Sequence, residues 1–329
     1  MPRALITGVT GQDGSYLSEL LLEKGYEVHG VVRRTSTLER SRLAHLHRDP
    51  EVYNRRLFLH YADLDDPTPL RRLLLRIAPD EIYHLAGQSH VGLSFEIPES
   101  TCDQTAIGTL RLLEIVRDLP VRPRLYHASS SEVFGRPELT PQDERTAFLP
   151  SSPYGCAKAF ATQLVRVYRD SFGLYACNGI MYNHESPRRG ENFVTRKVCR
   201  AAAAIKLGFQ DKLPLGNLDA RRDWGYAPDY VRGMWLTLQQ PEAGDYVFAT
   251  GATHTIRELA AAAFEAVGLD WETHVTVNPD LLRPSEPDRL VGNPAKARAR
   301  LGWEPSIDFA AMIRAMTLAE LEALRTAAG

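Results

Sequence analysis

The chain has little cysteine: four thiols in 329 residues, Cys102, Cys156, Cys177 and Cys199. They form no Cys-x-x-Cys pair and no metal-ligand spacing, which argues against a zinc site or a disulfide framework. Reduced thiols in a cytoplasmic protein are the simplest expectation. Nor is there an excess of charge of one sign. Thirty-nine Lys and Arg face 41 Asp and Glu, a formal net charge of −2, with a pI of about 6.6. No bulk basic field therefore invites nucleic acid or an anionic membrane. No apolar run approaches the roughly 20 residues of a membrane span, and no signal-like segment precedes the first apolar stretch. Internal repeats and low-complexity tracts are missing too. At this length one large α/β domain plus a smaller one is expected.

What is present begins at the N-terminus. An apolar strand, Arg3-Ala4-Leu5-Ile6-Thr7, runs into Gly8-Val9-Thr10-Gly11-Gln12-Asp13-Gly14. A helical stretch over 15–24 follows, with Gly25 as a C-cap, and then a second strand over 27–32. Strand, glycine turn, helix, strand is the context that makes a glycine motif a dinucleotide-binding hypothesis. The glycines permit a tight turn and close approach of a pyrophosphate, which then meets the helix N-terminus. The spacing here is Gly-x-x-Gly-x-x-Gly. An acid at the end of the second strand would suit the ribose of NAD, whereas arginine accommodates a 2′-phosphate. This chain has Arg33-Arg34 and no acid there, so NADP is expected.

Further strands follow with the rhythm of a parallel, doubly wound Rossmann-type sheet. Residues 57–61 lead into Asp63-Leu64, suited to an adenine edge; 81–87, ending in Leu85-Ala86-Gly87, lead into Gln88-Ser89; 124–128 deliver Ser129 to Glu132. Ligands sit at the carboxyl ends of such strands. Shortly after come Tyr154 and Lys158, four apart and so on one helix face. A neighbouring ammonium favours a phenolate, which makes Tyr154 a candidate base. Glu132 adds a second acid/base group that simple alcohol oxidation does not require. Taken alone, in an arbitrary helix, Tyr-x-x-x-Lys more often marks a half-buried aromatic beside a surface lysine.

The alternation continues to about Gly179, and the polar stretch 183–190 breaks it. After it, 193–207 reads as a basic amphipathic helix and 213–218 as extended. A helix over 230–238 and a strand over 245–249 read as a return to the first domain, and the tail from Thr255 is helix-rich. The expected division is thus 1–179 with about 225–250 for the cofactor, and about 180–224 with 251–329 as a smaller, discontinuous substrate domain.

Several longer motifs are more specific than the glycine turn. They are Gln88-Ser89-His90-Val91, Ser130-Ser131-Glu132, Ser152-Pro153-Tyr154-Gly155, the stretch 183–190 with its His-Glu-Ser-Pro, 192–197, the stretch 215–225 with its Arg-Asp-Trp-Gly, and Arg283-Pro284-x-Glu286. In these the chain resembles the extended short-chain dehydrogenase/reductases that act on nucleotide sugars, and within them the GDP-mannose 4,6-dehydratase family. The resemblance spans nearly the whole chain. It implies that Tyr154, held by Lys158, takes the proton of the sugar 4-hydroxyl, and that Glu132 removes H5. It further implies that Glu132 and the Ser130 hydroxyl help the 6-hydroxyl leave as water, with the cofactor recycled in place. It implies cofactor contacts at 8–14, at Leu85 to Ser89, at Ser100, and from His184 and Arg189 near the nicotinamide. For the nucleotide sugar, GDP-mannose, it implies Ser89, Ser130, Glu132, Asn183, the Val194 backbone, Lys197, Gly216, Arg222, Arg283 and Glu286. A homo-oligomer, dimer or tetramer, follows from the likeness of 35–45 to an arm that reaches a neighbouring subunit. Two positions depart from the family: Ser130 stands for its usual threonine and Ser100 for its usual tyrosine.

Rival readings share the scaffold. A 4-epimerase would return its hexose with the 6-hydroxyl intact, a 4-keto reductase would not need Glu132, and a dehydratase of a related GDP-sugar such as a heptose would differ in pocket shape. A Ser-Glu pair also occurs in nucleotide-sugar decarboxylases. A non-catalytic NADP-binding sensor would have lost part of Ser130, Glu132, Tyr154 or Lys158, and none is lost.

Overall fold

Seven parallel strands form one sheet in the computed structural model, which describes residues 1–33, 41–281 and 290–328. They are β1 (Arg3–Thr7), β2 (Glu27–Val32), β3 (Leu57–Tyr61), β4 (Glu81–His84), β5 (Arg124–Ser130) and β6 (Ala176–Met181), joined by Asp245–Phe248. Short strands lie between and beyond: β7 (Asn183–Glu185), β8 (Leu213–Leu215), β9 (Arg221–Arg222) and β10 (Trp224–Tyr226) precede Asp245–Phe248, which is β11. After it come β12 (His254–Thr255) and β13 (Val275–Val277). The order across the large sheet is β3-β2-β1-β4-β5-β6-β11. It reverses direction between β1 and β4, which creates the crevice where ligands of such sheets bind.

Alternation along each strand builds two cores. Ala4, Ile6, Tyr83 and Tyr126 pack on one face of the sheet, and Leu5, Ile82 and Leu125 on the other, as the two-residue period of a strand requires. The first face is covered by α1 (Gln12–Glu23) and a later helix, Ala227–Leu238. In chain order the intervening helices are α2 (Ala44–Arg48), α3 (Pro67–Ile77), α4 (Pro98–Cys102), α5 (Gly108–Arg117), α6 (Pro153–Phe172) and α7 (Val194–Lys206), which makes Ala227–Leu238 α8. Helices α3, α5 and α6 cover the second face through Leu70, Leu112 and Val165. A single π turn over Asp103–Ile107 leads into α5.

A separate core lies beyond the sheet. Val198 and Cys199 of α7 pack with Leu259 and Phe264 of α9 (Ile256–Glu265) and with Met312 and Ile313 of the C-terminal helix Phe309–Ala328. Between those two helices lie α10 (Trp271–His274) and α11 (Ala295–Leu301), so the last is α12. A capping box opens α9: Thr255 accepts from Glu258 N and the Glu258 carboxylate accepts from Thr255 N.

Three boundaries differ from the sequence reading. Helix α1 starts at Gln12, so Gln12 to Gly14 are its first turn. The stretch after 183, read as a break, opens with β7, paired in parallel with β10. Finally, Ala297, Leu301 and Trp303, expected in the substrate domain, pack in the core of the large sheet. Burying the Trp303 indole there, with Nε1 donating to Asp229 O at 2.6 Å, draws α11 to the sheet.

Candidate active site

A cleft of about 520 Å³ opens at the carboxyl edge of the sheet, across the β1–β4 reversal. Its floor on one side is the glycine turn. Gly8 has φ +75°, and a Cβ there would lie 2.9 Å from Ala86 N. At Gly14 a Cβ would fall 2.4 Å from the Gly8 carbonyl oxygen. Both contacts are with backbone, so only glycine lets the turn close against β4 and against itself. The N-terminus of α1 has no side-chain cap hydrogen bond, and Thr10 to Gly14 line the cleft. Free N–H groups at the positive end of a helix dipole, in a cradle a Cβ would fill, fit a dinucleotide pyrophosphate. Val9 turns the other way and is fully buried. On the β2–β3 side Arg33, Asp63 and Leu64 line the cleft, and near β4 Leu85, Ala86, Gly87 and Ser89 do.

The acid/base residues come from three consecutive elements. Ser130 ends β5, Glu132 lies in the 3-10 turn Ser131–Val133, and Tyr154 and Lys158 sit one turn apart at the start of α6. The start of α6 is set locally. Ser152 caps it by accepting from Gly155 N at 3.0 Å, and Pro153 occupies the first turn. Gly155 has a packing reason as well: a Cβ there would be 2.7 Å from Glu132 O. Its absence lets the Glu132 turn close on the helix, which brings the carboxylate and the phenol into one cleft. The Ser130 hydroxyl accepts from Glu132 N at 3.2 Å and is hydrogen-bonded to the Tyr154 side chain.

Electrostatics here depart from the local expectation. Lys158 donates to Ala128 O at 2.7 Å, and its Nζ is 6.0 Å from the Tyr154 ring centroid. Burial pushes the Tyr154 phenol up to about 12, helped by the Glu132 charge and opposed by the Ser130 hydrogen bond and Arg189. Burial also pulls Lys158 down to about 8. In the protein by itself the phenol is therefore neutral at pH 7, because desolvation outweighs the nearby cation.

On the opposite wall His184 meets the glycine turn. Its Nδ1 lies 2.7 Å from Tyr182 O and its Nε2 2.8 Å from the Asp13 carboxylate. Both partners are acceptors, so both ring nitrogens donate and the ring is an imidazolium. Burial opposes that charge, but Asp13 outweighs it and raises the imidazole above its ordinary value. Burial likewise pushes the Asp13 carboxyl up, and the His184 charge and hydrogen bond more than reverse this. Gln12 completes the link by donating to His184 O at 3.0 Å and accepting from Ser186 Oγ at 2.8 Å. Arg189 pairs with buried Glu185 at 3.1 Å and lies 3.6 Å over the Phe193 ring. Asn183, His184 and Arg189 all line the cleft.

Other expected residues stand outside the cleft wall. Gln88 uses its amide on His90 O and Thr101 Oγ1. Ser100 is exposed on α4, where it accepts from Gln104 at 3.2 Å. Val194 opens α7, and Lys197 Nζ donates to Pro214 O at 3.2 Å. Gly216 packs under the Leu281 carbonyl, where a Cβ would be 2.7 Å away. Arg222 is buried in β9 and donates to Arg221 O at 2.7 Å. Arg34, Arg283 and Glu286, and most of 35–45, lie outside the described residues. Among the described residues no group of three His, Cys, Asp or Glu could hold a metal ion, and no helix is long and apolar enough to cross a membrane.

Sequence reasoning missed Arg42 and Thr7. Arg42 lines the cleft and ties two segments together, donating to Arg188 O at 2.7 Å and Thr10 O at 3.2 Å. Thr7 Oγ1 accepts from Leu85 N and Ala86 N, both at 3.2 Å, which locks β1 to the turn after β4. Thr7 ends the first strand and Arg42 lies in the stretch 35–45, but nothing in the local pattern signals these contacts.

Comparison with known proteins converges on one family. The family model for GDP-mannose 4,6 dehydratase matches residues 5–316. GDP-mannose 4,6 dehydratase 1 of Arabidopsis thaliana is 52% identical over 324 residues, 97% of this chain and 90% of the relative. The GDP-mannose 4,6-dehydratase of Yersinia enterocolitica is 48% identical over 351 residues, 98% of this chain and 94% of the relative. Among solved structures, a dTDP-glucose 4,6-dehydratase from Streptomyces venezuelae with NAD and TYD bound superposes with a TM-score of 0.85 at 27% identity, covering 98% of each chain.

Proposed function

We infer the course of the reaction from one premise: the chain belongs to the GDP-mannose 4,6-dehydratase family. It is a nucleotide-sugar 4,6-dehydratase, a lyase that converts GDP-mannose to GDP-4-keto-6-deoxymannose by internal hydride transfer from C4 to C6 with loss of water. It takes a nicotinamide dinucleotide, and we propose NADP, because Arg33 stands at the end of β2 where an acid would favour NAD. Bound at the glycine turn, that cofactor supplies the hydride acceptor for C4, the hydride donor for C6 and a positive ring charge.

The observation that carries the assignment is the meeting of Ser130, Glu132, Tyr154 and Lys158 in the cleft that also holds the glycine turn. Tyr154 accepts the proton of the sugar 4-hydroxyl, and Lys158 keeps positive charge near the phenolate that must form for this. Oxidation at C4 acidifies H5, which Glu132 removes. Glu132 then returns that proton to the departing 6-hydroxyl, steadied by the Ser130 hydroxyl, and water leaves. The hydride lost at C4 is regained at C6 as C5 takes up a proton in place of the one left on Tyr154, so the sum is loss of water with no net redox change.

For the nucleotide sugar we propose Ser89 and Asn183 at the cleft, with the Val194 backbone and Lys197 at the start of α7. Arg222 and Arg283 would take the diphosphate through guanidinium contacts, with Gly216 and Glu286 beside them. His184 and Arg189 would meet the nicotinamide end, and Gln88 and Ser100 would complete the cofactor contacts. In this reading 1–179 with about 225–250 and the α11 segment through Trp303 belong with the cofactor, and about 180–224 with the rest of 251–329 serve the substrate. A cytoplasmic homo-oligomer completes the proposal.

A proton NMR time course with GDP-mannose and a trace of NADP+, without reductant, tests it. A new C6 methyl doublet exceeding the cofactor present is expected. An unchanged sugar spectrum from protein that binds NADP would overturn the substrate assignment.

A further inference from the structure

Behind the Tyr154–Lys158 pair two imidazoles lie almost fully enclosed. His84 of β4 and His127 of β5 are 1% and 0% exposed, with ring centroids 5.7 Å apart. Their partners fix the proton on each ring. Asn178 donates both amide hydrogens, to Thr162 O at 3.2 Å and Asp245 Oδ1 at 2.9 Å. Its Oδ1 can therefore only accept, so His127 Nδ1, 2.9 Å away, carries the hydrogen. His84 has the opposite tautomer. The Thr109 hydroxyl donates to Thr105 O at 2.6 Å and so accepts from His84 Nε2 at 3.1 Å. His84 Nδ1 in turn accepts from the Thr7 hydroxyl at 2.8 Å.

Every polar atom of His84 is thus satisfied, but not of His127. Its Nε2 is an unprotonated acceptor, buried, with no hydrogen-bond partner. A buried acceptor left unmatched is costly, so its retention calls for a physical reason. The strongest outside charge felt at His127 is that of Lys158, whose Nζ is bonded to Ala128 O, the carbonyl of the next residue. The remaining groups are accounted for. His84 is neutral; Asp245, behind Asn178, is paired with Arg166 and Arg169; Glu132 and Tyr154 lie on the cleft side.

We propose that His127 is a positioning residue for Lys158: its unprotonated Nε2 is the negative end of a fixed dipole that keeps the ammonium charged and in place beside Tyr154. The tautomer is set from behind by the Asp245–Asn178 relay, so His127 never competes for the proton. This rests on the reading that Lys158 serves Tyr154 in the dehydration.

The test compares pH profiles of kcat/KM for His127→Leu and His127→Gln. Gln keeps a donor for Asn178 and a polar oxygen in the place of the ring nitrogen, whereas Leu keeps neither. Lys158 must be charged, and that charge is lost as pH rises. Removing the His127 dipole therefore moves the alkaline limb to lower pH, by up to about one unit. The Leu variant should show this shift and the Gln variant should restore the wild-type limb. An unshifted limb in His127→Leu, or equal shifts in both, would reduce His127 to a packing role. Should the Leu variant not fold, nitrogen NMR of histidine-labelled protein decides. An unprotonated His127 Nε2 whose resonance moves on Lys158→Met supports the proposal, and one that does not move overturns it. Wild-type protein inactive on GDP-mannose would sink the reaction reading while leaving the NMR comparison intact.

Discussion

Replacing His184 by leucine tests the clamp between the glycine turn and β7. The imidazolium and Asp13 meet at 2.8 Å, with side-chain exposures of 11% and 23%. Removing one partner of a buried ion pair costs about 3–5 kcal/mol, because the other charge stays behind. Asp13 keeps a hydrogen bond from Gln12 at 3.0 Å and a place in the first turn of α1, so the low end, about 3 kcal/mol, is expected. At 2–4 °C per kcal/mol this is a fall in Tm of roughly 6–12 °C by calorimetry at pH 6. The pH dependence carries a sign. His184 is raised in the folded state, so its contribution is complete below the ordinary imidazole value and is lost as pH rises through the raised one. Asp13 is lowered, so its contribution is present above the ordinary carboxyl value and fades as pH falls through the lowered one. The gap between wild type and His184→Leu should therefore be widest near pH 6 and narrow by pH 9. Adding Asp13→Asn to the Leu variant should recover part of the loss, since no buried charge is then unpaired. A Tm within 2 °C of wild type at pH 6, or a gap independent of pH, would refute the pairing.

Glu132→Gln should lower kcat by about 10²–10⁴-fold, the usual weight of a positioned acid/base, with KM nearly unchanged; steady-state kinetics with GDP-mannose reads this, and a wild-type kcat would remove Glu132 from the elimination. Arg33→Ala combined with Arg34→Ala should weaken NADP far more than NAD in fluorescence titrations, whereas equal losses would cancel the 2′-phosphate assignment. Gly14→Ala places a Cβ 2.4 Å from the Gly8 carbonyl oxygen. Overpacking of about 1–3 kcal/mol should open the turn and cost cofactor affinity tenfold or more, about 1.4 kcal/mol; an unchanged Kd for NADP would show that the turn can yield without consequence.

Much of the site was legible because its parts are local. The first strand and the glycine turn occupy consecutive residues, and the start of α6 is signalled by Ser152 and Pro153 in front of Tyr154. Helix and strand periods need few residues to show themselves. The pairing of β7 with β10 was not legible, since strands of three residues carry no period. Nor was the docking of Trp303 on the large sheet, which depends on a pocket built by Asp229, Tyr230 and Phe248.

The sequence by itself determined the fold class, the glycine turn, and the residue types able to move protons at 130, 132, 154 and 158. Chemistry of that kind is written in side-chain identity and short spacing. The tertiary structure decided the charge states. Asp13 and His184 are 171 residues apart, and no spacing rule joins them. Burial, which only the assembled fold supplies, raises the Tyr154 phenol and lowers the Lys158 ammonium against the expectation from their proximity. Desolvation depends on everything packed around a group, and neighbours in sequence are a small part of that.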